Sequence, residues 1–161
     1  LLIKKQKFKN YYKNINSKQF KGYTKYLKNL KSNKDISFVY NLETRLDTII
    51  YRLNLVKSMY DCRQKVSHGF FMVNGKVVTK PNIKLKVKDI VSVKTKYKYF
   101  LTNLILNKIK SGYIFPIPIY LETNYKSFEF KILKTLNLQN VGYPFLNQKN
   151  KQNSLTNIIN F

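Results

Sequence analysis

From residue 42 the apolar positions recur at helical spacing. Leu42, Leu46, Ile49, Ile50 and Leu53 stand at i, i+4, i+7, i+8 and i+11, which predicts one amphipathic helix. Arg45 and Arg52, seven residues or two turns apart, share one stripe of it. A second helix is predicted from Ser58, with Asp61 three residues on giving a capping-box-like start. Met59, Cys62 and Val66 form its buried stripe, Arg63, Gln64, Ser67 and His68 point elsewhere, and Gly69 stands where a helix stops in the left-handed conformation. In "FFMVNGKVV", Asn-Gly between apolar residues predicts a hairpin. "NIKLKVKDIVSVK" alternates strictly and predicts a strand, with Ile83, Leu85 and Val87 on one face and Lys84, Lys86 and Lys88 on the other. Residues 97–111 read as a helix, "PIPIYLETNY" and "SFEFKIL" as strands, and an Asn-rich tail ends in the apolar "LTNIINF". Before residue 31, Phe8, Tyr12, Ile15, Tyr23, Tyr26 or Leu27, and Leu30 suit short helices broken around Gly22, with lysines on the other faces; "KSNKD" then reads as a loop. No internal repeat interrupts this order.

Charge changes the picture most. The chain has 161 residues, enough for one ordinary domain, and 43% of them are hydrophobic, as in globular proteins. Thirty-one basic residues against seven acidic ones give +24. The excess is spread out: +10 over residues 1–40, +8 over 41–96 and +6 over 97–161. A compact chain this cationic repels itself and calls for a polyanion. Nucleic acid fits best, because each phosphate contact releases counterions and rewards many lysines at once. An anionic membrane surface is the competitor; no apolar run approaches the ~18–20 residues of a spanning helix, so the chain is not expected to be integral to a membrane, and no membrane partner is expected. One cysteine and one histidine leave no disulfide framework and no zinc knuckle, and no cofactor or metal is expected. The chain has 28 Lys, 19 Asn and 15 Ile but no Ala. Alanine is the best helix former, so physics does not ask for its absence. The bias fits an A/T-rich coding sequence of the kind found in organellar genomes.

The candidate chemistry lies in residues 62–78. His68 lacks a second histidine, an acid pair or a nucleophile, which argues against catalysis or metal binding. A helix-end role and an RNA contact both stay open for it. Arg45, Arg52 and Arg63 would ordinarily be a solvated face. However, all three arginines of a lysine-dominated chain fall within nineteen residues, and the planar guanidinium suits bidentate phosphate binding and base stacking. Asp47 is expected to cap or pair within the helix, and Cys62 to be a small core residue.

The ordered elements R-L-D at 45–47, Arg52, Ser58, R-Q at 63–64, V-x-H-G at 66–69, V-N-G-K at 73–76, Pro81 and D-x-[IV]-x-V at 89–93 resemble the RNA-binding domain of the small-subunit ribosomal protein 4 family. "KQKF…KQFKGYTKYL" is similar to that family's N-terminal helical arm, and "PIPIYLETNYKSFEFKIL" to its C-terminal segment, so the resemblance covers nearly the whole chain. The sequence departs from the family pattern at Asn54 (a glycine there), Met59 (an arginine), Cys62 (an alanine) and Asn82 (a serine), and the bacterial cysteine-rich metal module has no counterpart. Arg-Leu-Asp also occurs in pseudouridine synthases with a catalytic aspartate, but in a large separate domain for which this chain leaves no room.

The resemblance implies an α+β fold: two to three short helices packed on a small, twisted, mostly antiparallel sheet. Residues 1–40 would be a basic helical arm, 41–96 the RNA-binding domain, and 97–161 a helix, strand pair and tail completing the fold. It implies no enzyme but a structural constituent of the small ribosomal subunit, binding small-subunit rRNA as a single copy beside neighbouring small-subunit proteins and close to the mRNA entry region. The A/T bias and the missing metal module favour the mitochondrial matrix over a plastid. The expected rRNA contacts are Arg45, Arg52, Lys57, Ser58, Arg63, Gln64, Lys65, Ser67, His68, Asn74, Lys76, Lys84 and Lys86, with Lys5, Lys7, Lys13, Lys18 and Lys21 on the arm. A free RNA-binding or ribosome-rescue factor with the same module is the rival reading. The flanking arms weigh against it, since a free factor has no need of both.

Overall fold

The computed structural model describes residues 34–114 and 116–133, together with residues 6, 9–12, 15, 18, 21, 22 and 25. Thr44–Thr135 form one compact unit, and the residues before it belong to another. Within that other unit, α1 (Lys34–Glu43) buries Phe38, Val39 and Leu42, and Glu43 Oε1 accepts a 2.6 Å hydrogen bond from Tyr12 Oη. Two expectations fail here. Lys34 and Asp35, read as loop, open α1, and Gly22, read as a break, is itself helical.

The single helix expected over residues 42–53 is two. α1 ends at Glu43, Thr44 turns, and α2 (Leu46–Arg52) starts afresh after Arg45, which is extended at φ −69°, ψ 140°. All five periodic residues are nevertheless buried. The break follows from backbone hydrogen bonding. A new helix start exposes N–H groups that need acceptors. No side chain caps α2 at Arg45; instead, Leu46 N donates to Ile83 O (2.9 Å) and Asp47 N to Pro81 O (3.1 Å). Leu85 N returns a bond to Thr44 O at 2.8 Å. Residues 81–85 therefore lie along the start of α2. After α2 the chain turns through Asn54, at φ +58°. That is a left-handed position, which glycine or asparagine fills most readily, and it accounts for the departure from glycine there.

α3 (Met59–Ser67) is capped as expected. Ser58 Oγ accepts from Asp61 N (3.2 Å), while the Asp61 carboxylate accepts from Lys57 N (2.9 Å) rather than from the cap residue itself. Met59, Cys62 and Val66 are buried, and Cys62 Sγ contacts Asp47 O at 3.4 Å, joining α3 to α2. Gly69 ends the helix at φ +70°.

Five short strands, β1 (Phe71–Val73), β2 (Lys76–Val77), β3 (Ile90–Val93), β4 (Leu121–Asn124) and β5 (Glu129–Ile132), make one antiparallel sheet in the order β2-β1-β3-β5-β4. β1 and β2 form the expected hairpin; Asn74 (φ 49°) and Gly75 (φ 78°) supply the two left-handed residues of its turn. β3 is far shorter than the thirteen-residue strand that alternation suggested. Lys88 takes φ +77°, and Asp89 N bonds back to Lys86 O, so the chain turns before it can pair. The alternation survives without the strand: Leu85 is buried and Ile83 and Val87 half-buried, while Lys84, Lys86 and Lys88 are exposed. β4 and β5 add the C-terminal strands, although "PIPIY" stays outside them. Phe71, Val91, Val93, Phe130 and Ile132 bury one face of the sheet. α4 (Thr95–Lys110) follows β3; Tyr97 stacks on Phe70 at 3.6 Å and 4°, and Leu101 and Leu104 are buried. Tyr125 Oη donates to Leu53 O (3.0 Å) and Lys108 Nζ to Val56 O, tying strands and α4 to the turn after α2. Burial pushes the Tyr125 hydroxyl pKa up and the Lys108 ammonium pKa down, the latter against the Asp61 charge, which raises it. Among the described residues no helix is long and apolar enough to cross a membrane.

Candidate nucleic-acid interface

The apolar stripe of α3 faces inward, so its polar residues line the other side. Lys57, Gln64, Ser67 and His68 are exposed, and Ser58 and Arg63 half-buried. His68 is the C-cap residue, and its backbone N–H still bonds Gln64 O at 3.0 Å. The helix-end role and an outward imidazole thus coexist. Gly69 turns the chain directly into the hairpin. A Cβ at Gly69 would lie 3.2 Å from Val77 Cγ1 and 3.6 Å from Lys94 Nζ. A side chain at Gly69 would crowd Val77 where the helix end meets β2, and the positive φ would strain it.

The hairpin and the lysine segment are locked together through Asp89. Asn74 Nδ2 donates to Asp89 Oδ1 (2.9 Å), Asn74 Oδ1 accepts from Ile90 N (2.9 Å), and Asp89 Oδ2 accepts from Lys86 N (2.7 Å). Exposed Lys76 on β2 and exposed Lys84 and Lys86 are thus held on one support. Asn74, expected to touch RNA, is exposed and uses both atoms of its amide in this lock. The asparagine that the hairpin turn demands also fastens the turn to its neighbour.

Two expected contacts are buried in ion pairs. Arg45, 3% exposed, is not on a stripe with Arg52; it lies before α2, its backbone bridged to Lys84. Its Nε and Nη2 donate to the two carboxylate oxygens of Asp47 at 3.0 and 2.6 Å, and Asp47 Oδ1 also accepts from Thr48 N at 2.9 Å. Asp47 is fully buried, so it is closed to any substrate. Lys65, 7% exposed, pairs with Asp61 one turn earlier and lies 5.5 Å from the centre of the Phe100 ring. Both residues shape the support rather than its surface. Arg52, in the last turn of α2, is half-buried beside Tyr51, whose hydroxyl pKa burial raises and the Arg52 charge lowers. On the arm, Lys18 and Lys21 are exposed, whereas Lys5, Lys7 and Lys13 lie outside the described residues.

The sequence reading missed exposed Lys80 and Tyr60, which is 64% exposed, while Lys88, placed on the lysine face, is exposed as expected. Tyr60 stands one turn before Arg63 and Gln64, so spacing along the predicted helix already placed it on the polar side. The surface as a whole offers ammonium groups for phosphates, a flat ring for stacking, and amide, hydroxyl and imidazole groups for base edges or 2′-hydroxyls. Among the described residues no cluster of three or more His, Cys, Asp or Glu side chains could hold a metal ion.

Comparison with known proteins gives the family of the chain. The S4 domain family matches residues 44–91, which run from the turn before α2 into β3. Small ribosomal subunit protein uS4 of Rickettsia canadensis (strain McKiel) is 37% identical over 142 residues, covering 88% of this chain and 67% of the relative. The uS4 proteins of Gluconacetobacter diazotrophicus and Granulibacter bethesdensis are 34% and 35% identical over 143 residues, covering 89% of this chain and 68% of each relative.

Proposed function

The chain belongs to the uS4 family of small ribosomal subunit proteins, and on that premise we propose that it is a structural constituent of the small subunit that binds small-subunit rRNA and supports its assembly. One observation carries the mechanism: the polar side of α3 passes through Gly69 into a hairpin that Asp89 fastens to the lysine segment. Lys57, Lys76, Lys84 and Lys86 neutralise phosphates brought together from separate rRNA helices, and relief of phosphate repulsion stabilises the junction. Arg52, Ser58, Arg63, Gln64, Ser67 and His68 add directional hydrogen bonds that fix register. Arg45, Lys65 and Asn74 act one step back, holding the elements that present these groups. The lysines of the N-terminal arm, Lys5, Lys7, Lys13, Lys18 and Lys21, extend the grip along the rRNA. No catalytic step enters this mechanism.

We place the protein in the mitochondrial ribosome, in the matrix, next to other small-subunit proteins and near the path by which mRNA enters. The A/T-type composition and the alphaproteobacterial relatives support that placement. Sedimentation tests the reading. At low salt the protein should travel with the small subunit of purified mitochondria; if most of it runs free, or is found in plastids, the proposal fails in its first or second part respectively.

A further inference from the structure

α4 is apolar on two opposite sides. Its inner side buries Leu101 and Leu104, and there Lys98 Nζ donates to Ser127 O (2.7 Å) and Lys108 Nζ to Val56 O. Its outer side presents Tyr99, Leu106 and Ile109 at i, i+7 and i+10, which are 79%, 48% and 53% exposed. A helix apolar on both sides expects cover on both. The chain beyond α4 continues with exposed apolar residues, Tyr113, Ile114, Ile117 and Ile119, and residues 111–120 carry no charge. Eight of the twelve large hydrophobic side chains exposed among the described residues fall within residues 99–119. Scattered exposed leucines need no explanation, whereas such a concentration marks a contact surface.

The chemistry selects the occupant. Tyr99 and Tyr113 each have a ring on which a base could stack, but Leu106, Ile109, Ile114, Ile117 and Ile119 have no such face, and a phosphate pressed against them would lose water without gaining a hydrogen bond, so rRNA does not fit the apolar surface as a whole. A second copy does not fit either: each chain carries +24, and α4 has four lysines and no acidic residue to meet a mate's lysines. The i, i+7, i+10 spacing is that of a helix seam. Exposed Lys96 and Lys110 edge the stripe near its two ends. We propose that this face docks an amphipathic helix of a different protein, whose apolar seam is flanked by aspartate and glutamate. The proposal rests on the small-subunit reading for where that protein is found, but not for its chemistry.

The test uses the full-length protein in purified particles, with photoreactive benzoylphenylalanine replacing Leu106 in one preparation and Lys84 in another. The Leu106 probe should join to another protein, at a peptide with heptad-spaced apolar residues flanked by acids; the Lys84 probe should join to rRNA. A Leu106 cross-link to rRNA, to a second copy or to this chain itself, or none at all, overturns the docking proposal. Failure of the Lys84 probe to reach rRNA counts against the functional reading instead, and the Leu106 cross-link is then scored in whichever fraction holds the protein. A Leu106→Asp, Ile109→Asp double variant checks the same point without a probe. Both sites are exposed, so its melting temperature and rRNA affinity should match the parent, while retention of the cross-linked neighbour falls at least tenfold. Undiminished retention overturns the proposal.

Discussion

Asp47→Ala should unfold this protein at temperatures where the parent is stable. Asp47 is fully buried and meets Arg45 through two hydrogen bonds of 2.6 and 3.0 Å, with Arg45 only 3% exposed. Truncating Asp47 removes the carboxylate from a buried guanidinium, a loss that costs about 3–5 kcal/mol. The Thr48 N–H also loses its acceptor. In a compact unit of this size each kcal/mol lowers the melting temperature by about 4–8 °C, so a fall of about 12–40 °C is expected. Replacing both partners by apolar side chains, Arg45→Met with Asp47→Leu, leaves no stranded charge and should be close to neutral apart from roughly 1 kcal/mol for the Thr48 N–H. Thermal melts followed by circular dichroism, with filter binding to small-subunit rRNA below each melting point, read both properties. Equal loss in the single and double variants, or an Asp47→Ala within about 0.5 kcal/mol of the parent, would refute the buried-pair argument. A double variant that stays folded but loses rRNA binding would return Arg45 to the RNA surface.

The other predictions are shorter. rRNA binding should weaken about 10³–10⁵-fold between 50 and 200 mM salt if 6–10 phosphates are neutralised, and a Lys84→Ala, Lys86→Ala variant should flatten that slope by about 1.5–2; an unchanged slope would mean these lysines miss the phosphates. His68→Ala should leave the melt unchanged but lower affinity for the cognate rRNA junction, and a variant that binds as tightly as the parent would make His68 a helix terminator only. Ser58→Ala should cost about 1 kcal/mol in denaturant unfolding through loss of the N-cap bond to Asp61 N, so a change below about 0.3 kcal/mol would count against the cap. The Cys62 thiol is pushed well above its ordinary 9.0, first by burial and then by the Asp47 and Asp61 charges. Its folded pKa exceeds the unfolded one, so its contribution is full below pH 9.0 and is lost as pH rises beyond it. Relative to Cys62→Ala, the parent should therefore lose stability faster above that pH, and a thiol reagent at pH 8 should label it only at the rate of unfolding.

Much of the fold was legible because its signals are local. The Asn-Gly turn, the Ser58 cap, the Gly69 stop and the buried positions at 59, 62 and 66 each depend on residues a few places apart. What the sequence could not show was set by partners far along the chain. The apolar positions at 42, 46, 49, 50 and 53 fit one helix, and nothing nearby says otherwise. The break at Arg45 arises because Pro81 and Ile83, more than thirty residues on, offer their carbonyls to the start of α2. Likewise, alternation told truly which of residues 83–88 face inward, but inwardness is not pairing. The Asp89 side chain and the left-handed Lys88 bend that segment away from the ladder.

The site divides along the same line. Gln64, Ser67, His68, Lys84 and Lys86 were placed outward by spacing, and outward they are; Lys76, expected from the resemblance alone, is exposed too. Arg45, Lys65 and Asn74 were taken for the same kind of residue, since a charged or amide side chain reads alike whether it meets water or a partner within the chain. Each faces the kind of partner that a chain with so few acids supplies sparingly: Asp47, Asp61 and Asp89. These three aspartates are among only seven acidic residues in the whole chain. In a chain of this charge, these three acids act on cations or on the segment that carries them. Asp47 draws Arg45 inward, Asp61 fastens Lys65 to α3, and Asp89 pins the hairpin to the lysine segment. The scarce negative charges thus set the geometry in which the abundant positive ones are displayed.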